Sequence, residues 1–126
     1  MDWNLPWAWD LGATWKLQTR LDVAAGWLGE GDLSSAVISV GPILDLGREG
    51  FPVHLEGGVS PTGITRSLYA TKDFGEPLQF TSHLGLYWDF ATHFRAEYRF
   101  QHMSNAGFNH HNPGLNLHML GVSYVF

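Results

Sequence analysis

"FRAEYRFQHMS", Phe94 to Ser104, is the stretch on which the fold turns. Phe94, Ala96, Tyr98 and Phe100 alternate with Arg95, Glu97, Arg99 and Gln101, an apolar–polar period of two. That period is a strand's, because successive side chains of a strand point to opposite faces, whereas a helix repeats every ~3.6 residues. His102 and Ser104 continue the apolar row, so a polar pair able to exchange a proton projects from the greasy face. What that face touches becomes the central question.

The same alternation extends along the chain in both directions. In "WKLQTRLDVAAGW", Trp15, Leu17, Leu21, Val23 and Trp27 oppose Lys16, Gln18, Arg20 and Asp22. Ala36, Ile38, Val40, Pro42, Leu44 and Leu46 share one face of the next strand, with Val37 and Ile43 blurring the other. "FPVHLEGGVS" sets Phe51, Val53, Leu55 and Val59 against His54, Glu56 and Ser60. "LQFTSHLGLYWDF" sets Leu78, Phe80, Leu84, Leu86, Trp88 and Phe90 against Gln79, Thr81, His83 and Asp89. At the end of the chain, Leu120, Val122, Tyr124 and Phe126 fall in phase. No segment has the pattern of an amphipathic helix. The expectation is an all-β, antiparallel up-and-down meander of six full strands preceded by a Trp-rich N-terminal stub, Trp3 to Trp9.

Composition narrows the class. A chain of 126 residues makes one domain, 1–126. The net charge of -5 speaks against a nucleic-acid partner, which calls for a basic patch. There is no cysteine, so neither a disulfide framework nor a zinc–thiolate site can form. No apolar run approaches the ~18 residues of a transmembrane helix, and the start at "MDWNLPWAWD" has no signal-peptide pattern and reads as a mature or trimmed chain. Barrel strands leave a far weaker hydropathy trace, so a membrane remains open.

A soluble sandwich buries its apolar face, whereas a membrane barrel turns that face to lipid and its polar face to the lumen. Three features favour the membrane barrel. The alternating runs are about 10 to 13 residues long, suited to a tilted membrane strand and longer than the ~5–6 of soluble strands. Trp15, Trp27, Trp88, Phe90 and Phe94 sit at strand ends on the apolar face, as an interfacial girdle requires. The terminal "VSYVF" resembles the C-terminal assembly signal of bacterial outer-membrane barrels. The connections at 10–14, 47–50 and 89–92 are short and those at 61–77 and 105–115 long, with 29–33 the short exception on the long side. Outer-membrane barrels keep their long loops outside, which places His102 and Ser104 at the outer end of their strand, facing lipid.

At this point a family resemblance enters. "HMSNAGFNHHNPGLN" and the strands around it resemble the outer-membrane lipid A 3-O-deacylase (PagL) family, also described as acyloxyacyl hydrolases. The resemblance implies an eight-stranded transmembrane barrel in the Gram-negative outer membrane. Its active site would lie on the lipid-facing wall, and its substrate would be the 3-O-linked acyl chain of lipid A (lipopolysaccharide). By position, His102 resembles the general base, Ser104 the nucleophile and Asn116 the third member. Asn112, Asn105 and Gly107 resemble groups that stabilise the oxyanion. No cofactor and no metal are implied, and a homodimer stays open.

Two departures from the family matter. Asn116 stands where the family carries an acidic residue, and a neutral amide cannot stabilise an imidazolium by charge, although it can fix the tautomer. Six strands and a stub also fall short of eight, so the expectation is a fragment or mis-started sequence lacking an N-terminal strand or strands, or a barrel that closes differently. Plainer readings stand beside these. His102 and Ser104 could be strand-end polar residues bonded to loop backbone, and Asn112-Pro113-Gly114 is a good turn by composition alone. Asn109 to His111 reads as exposed loop rather than a metal site. Arg95, Glu97, Arg99, Lys16, Arg20, Asp22 and Glu56 read as a polar filling of a narrow barrel, and Arg66 and Lys72 as solvated loop charges. A catalytically weak or silent barrel and a soluble lipid carrier are the readings from other classes.

Overall fold

In the computed structural model, residues 1–126 are described except 70, 109–111, 125 and 126, and only the backbone is described at 2, 123 and 124. The expected end motif at Phe126 and the Asn109 to His111 loop therefore lie wholly or partly outside the described residues. Seven strands follow one another: β1 Asp2–Gly12, β2 Trp15–Glu30, β3 Leu33–Arg48, β4 Phe51–Ile64, β5 Leu78–Ala91, β6 Phe94–Ser104 and β7 Leu115–Tyr124. Each pairs antiparallel with its sequence neighbours in one sheet of order β1 to β7. β1 and β7 are its two edges, so the sheet is not closed.

The Trp-rich segment expected as a stub is a full strand. Trp3, Leu5, Trp7, Trp9 and Leu11 carry a period of two, but Pro6 has no N–H to give a ladder. The β1–β2 register breaks between Asn4 and Ala8 for that reason. Side chains of β2 make up the difference: Gln18 Nε2 donates to the Leu5 carbonyl at 2.8 Å and Thr19 Oγ1 to the Trp7 carbonyl at 2.7 Å. β4 is also longer than its sequence suggests. Thr62 and Gly63 stay in the ladder with both neighbours and Ile64 with β3, so the long connection begins at 65 rather than 61.

The two faces of the sheet are inverted relative to a soluble protein. Arg20, Asp22, Asp45, Glu56, Gln79, Thr81 and His83 are buried, while Leu44, Val59, Leu84 and Leu86 are exposed; Glu56 is 3% accessible and Leu120 86%. A wall with this polarity is matched to hydrocarbon outside and a polar lumen inside. In the lumen, Glu56 bridges two arginines: Arg20 Nη2 donates to Oε2 at 2.8 Å and Arg99 Nη2 to Oε1 at 2.7 Å. Arg20 also reaches Asp45, and Arg99 reaches Asp22, each at 3.5 Å. The polar lining is thus a cross-strand network that spans the lumen, with a cavity of about 650 Å³ left beside Lys16, Gln18, Asp45 and His54.

Aromatic residues mark the short-turn end. Trp9, Trp15, Phe51, Trp88, Phe90 and Phe94 lie exposed near that rim, with Phe90 and Phe94 stacked at 6.1 Å. The opposite end carries the two long connections and an apolar plug. Ile64, Tyr69, Phe74 and Met103 form its core, with Leu28, Leu33, Val37 and Leu115 packed around them. Connection 65–77 is itself ordered by a tight hairpin, in which Tyr69 N donates to Lys72 O at 2.7 Å and Phe74 N to Ser67 O at 2.8 Å.

Truncating Glu56 to Ala removes the closest partner of both the buried Arg20 and the half-buried Arg99, leaving each only its longer contact to Asp45 or Asp22, and should destabilise the detergent-folded protein by about 3 kcal/mol. Placing Arg at Leu84, on the outward face, should cost about 2–4 kcal/mol in a bilayer. Denaturant titration of the folded protein in vesicles checks both; a tolerated Leu84→Arg would mean that this face does not meet lipid.

Candidate active site

Register brings the candidate residues together. Ser82 on β5 pairs with His102 on β6, and His102 with Asn116 on β7, so the three share one row across the sheet. Met103, the residue between His102 and Ser104, is buried on the inner face, which directs its two neighbours outward. His102 and Asn116 are bonded, Nδ1 to Oδ1, at 2.7 Å. An amide oxygen can only accept, so Nδ1 carries the proton and Nε2 presents its lone pair. That is the tautomer a general base needs.

Ser104 lies about 7 Å of strand rise beyond His102, opposite Phe80 and half-buried. It forms no hydrogen bond with His102 in this structure. Catalytic hydrogen bonds are often long or unmade in sites without substrate.

The oxyanion candidates separate into different jobs. Asn105 is fully buried, and its side chain is used twice: Nδ2 donates to the Phe74 carbonyl at 3.2 Å and Oδ1 accepts Gly107 N–H at 3.0 Å. Both Asn105 and Gly107 thus have their polar groups committed to the loop. Asn112 is exposed, and its Oδ1 accepts the Asn105 N–H at 3.2 Å. A backbone N–H must find an oxygen, so the orientation leaves the Asn112 Nδ2 amide as the donor to a ligand.

Two residues outside the expected set pack on this site. Gly114 has φ +58, and a Cβ built there would come within 2.9 Å of His102 Cε1. Only glycine allows both that backbone angle and that approach to the ring. Lys72, expected as a solvated loop charge, is half-buried and donates from Nζ to the Gly114 carbonyl at 2.6 Å. One turn of strand deeper on the outward face, Tyr98 OH and His118 Nδ1 are bonded at 2.7 Å, a satisfied polar pair on an otherwise apolar wall.

The carboxylates closest in sequence to the site are directed elsewhere. Glu97 lies against Gly121 on the inner face, where its Oε1 would be 2.7 Å from a built Cβ. Asp89 is held by Arg95 Nε at 2.7 Å near the short-turn end. Among the described residues no three His, Asp or Glu side chains are grouped as a metal site requires.

Known proteins share this chain's pattern. The model of the family described as lipid A 3-O-deacylase (PagL) matches residues 1–125. A lipid A deacylase PagL of Bordetella bronchiseptica is 29% identical over 127 residues, spanning 95% of this chain and 70% of the relative. A solved structure, described as the crystal structure of the outer membrane enzyme PagL, superposes with a TM-score of 0.87. It is 21% identical, with 99% of this chain and 85% of that one covered, and at that identity the likeness is one of fold.

Changing Asn105 to Ala leaves the Gly107 N–H without its partner and the Phe74 carbonyl with only the Gln79 amide, and should cost about 1–3 kcal/mol. Limited proteolysis should then cut within 65–77 or 105–114 much faster than in the parent, while Asn105→Asp, which keeps the acceptor for Gly107, falls between the two. Equal cutting rates in all three would dismiss the bonding scheme.

Proposed function

Because this chain belongs to the lipid A 3-O-deacylase (PagL) family, we propose that it is an outer-membrane serine esterase that removes the 3-O-linked acyl chain of lipid A. The observation that carries the reading is the His102–Asn116 bond on an outward, apolar wall, in line with Ser104. A nucleophile directed at hydrocarbon has no access to a water-soluble ester, but it meets an acyl ester at the leaflet surface. The row lies at the long-loop end, the end expected to face the outer leaflet.

In the proposed mechanism, Ser104 Oγ attacks the ester carbonyl and His102 Nε2 takes its proton. The bond between the acyl carbon and the ester oxygen breaks as His102 returns that proton to the leaving sugar alkoxide. Asn112 Nδ2 stabilises the oxyanion, whose charge develops at the carbonyl oxygen. Water, deprotonated by His102, then cleaves the acyl-enzyme and releases a fatty acid. Asn116 keeps the ring in the productive tautomer throughout, and Asn105 shapes the loop that carries Asn112. No step requires a cofactor.

Asn116 supports a second reading, a barrel of the same fold with weak or no activity. Exchanging an aspartate for asparagine in a serine-protease triad cost about 10⁴ in rate, mainly through the wrong tautomer. Here the oxygen of Asn116 faces Nδ1, so the tautomer is correct and only the charge is lacking.

Expression in an outer membrane followed by mass spectrometry of lipid A decides between the two. The parent should remove one acyl chain, and Ser104→Ala should leave lipid A intact. Asn116→Glu should raise the rate about tenfold or more, since it restores charge to an already correct tautomer. Intact lipid A from correctly assembled parent protein would establish the silent barrel instead.

A further inference from the structure

Lys72 has no role in the mechanism above, yet it is tied to the residue that backs the base. Its hairpin is seated firmly: Tyr69 is 6% and Phe74 2% accessible, edge-on at 5.9 Å, in the plug with Ile64 and Met103. From that base Lys72 Nζ reaches across to the Gly114 carbonyl at 2.6 Å. Gly114 lies against His102 so closely that a Cβ there would fall 2.9 Å from Cε1 and 3.6 Å from Nε2. On the other side of the ring, Asn116 holds Nδ1. The imidazole is gripped between β7 and a turn whose position is set from loop 65–77.

We infer that Lys72 is a positioning residue for ester hydrolysis, clamping the 112–114 turn so that Gly114 fixes the His102 ring and Asn112 stays near Ser104; this rests on the reading of Ser104 and His102 as nucleophile and base. Three arguments favour clamping over a direct grip on substrate phosphate. The ammonium is half-buried, its bond to a neutral carbonyl is short, and the bonded carbonyl belongs to the residue that touches the base. A second tie, Asn105 Nδ2 to the Phe74 carbonyl, joins the same two loops from the inner side. The long loop therefore acts on the site through backbone, and small displacements of a base are costly to rate.

The test compares Lys72→Met, which keeps the stem and removes the donor, with Lys72→Arg, which keeps a donor. Each is folded in detergent with the full chain and assayed on purified lipid A in mixed micelles. Lys72→Met should lower kcat about tenfold with KM within about twofold, and Lys72→Arg should recover most of the loss. A separate readout needs no turnover: in histidine-labelled protein, the His102 ring nitrogens should shift and broaden in Lys72→Met and stay near the parent values in Lys72→Arg. A raised KM with unchanged kcat would make Lys72 a phosphate ligand and overturn the inference. Unchanged His102 resonances in Lys72→Met would overturn it as well. Activity that survives Ser104→Ala would instead remove the esterase reading, while the resonances still decide whether Lys72 positions the ring.

Discussion

Hydrocarbon penalises every unpaired backbone group, and that constraint accounts for the long ladders from β2 to β6, although β1 and β7 each keep one open edge. It demands long ladders, an apolar outward row on every strand and a self-satisfied interior. The chain meets the last demand with Glu56 shared by Arg20 and Arg99, flanked by Asp22 and Asp45. These charges are contributed by β2, β3, β4 and β6, so the network binds distant strands to one another as well as spanning the lumen. With these charges paired to one another in the interior, the candidate site draws on the outer wall and the loops.

The site follows from that division. On an inward row, His102 and Ser104 would belong to the ionic network; on the outward row they stand among apolar neighbours, with Asn116 and Gly114 against the His102 ring. Neighbouring strands supply what is needed: Asn116 comes from β7 by register, and the loop above supplies Asn112 and Gly114. The long connection 65–77 then closes over the far side, with Tyr69 and Phe74 buried in the plug and Lys72 holding the turn. Orientation of the His102 ring is supplied by a hydrogen bond and close packing, and among the described residues its bonded partner is an amide rather than a carboxylate. That makes Asn116 an orienting group whose limits are electrostatic.

How much of this was legible in the sequence depended on how local the signal was. β5 and β6 could be read residue by residue, because Leu84, Leu86 and Trp88 or Tyr98 and Phe100 alternate without interruption. β1 was read short because Pro6 hides a ladder that Gln18 and Thr19 repair from the next strand. Ile43 looked like a blemish on a polar row, and it is simply buried among the luminal side chains. His102, Ser104 and Asn116 were visible as a pattern, but the pairing of His102 with Asn116 needed the β6–β7 register. Lys72 was indistinguishable from any loop lysine, because its partner lies 42 residues away. The roles of Asn105 and Asn112 diverge only once burial is known: one is sealed under the loop and the other left at its surface.

The account's central claim is that Ser104, on the lipid-facing wall, is a nucleophile activated by His102. A long-chain alkyl fluorophosphonate offered to the folded protein in micelles tests it directly, because such a probe partitions into the apolar phase and marks only an activated serine. Peptide mass analysis should place one adduct on Ser104, and His102→Ala should suppress its formation. An adduct on another serine, or labelling of Ser104 that proceeds equally well without His102, would contradict the account.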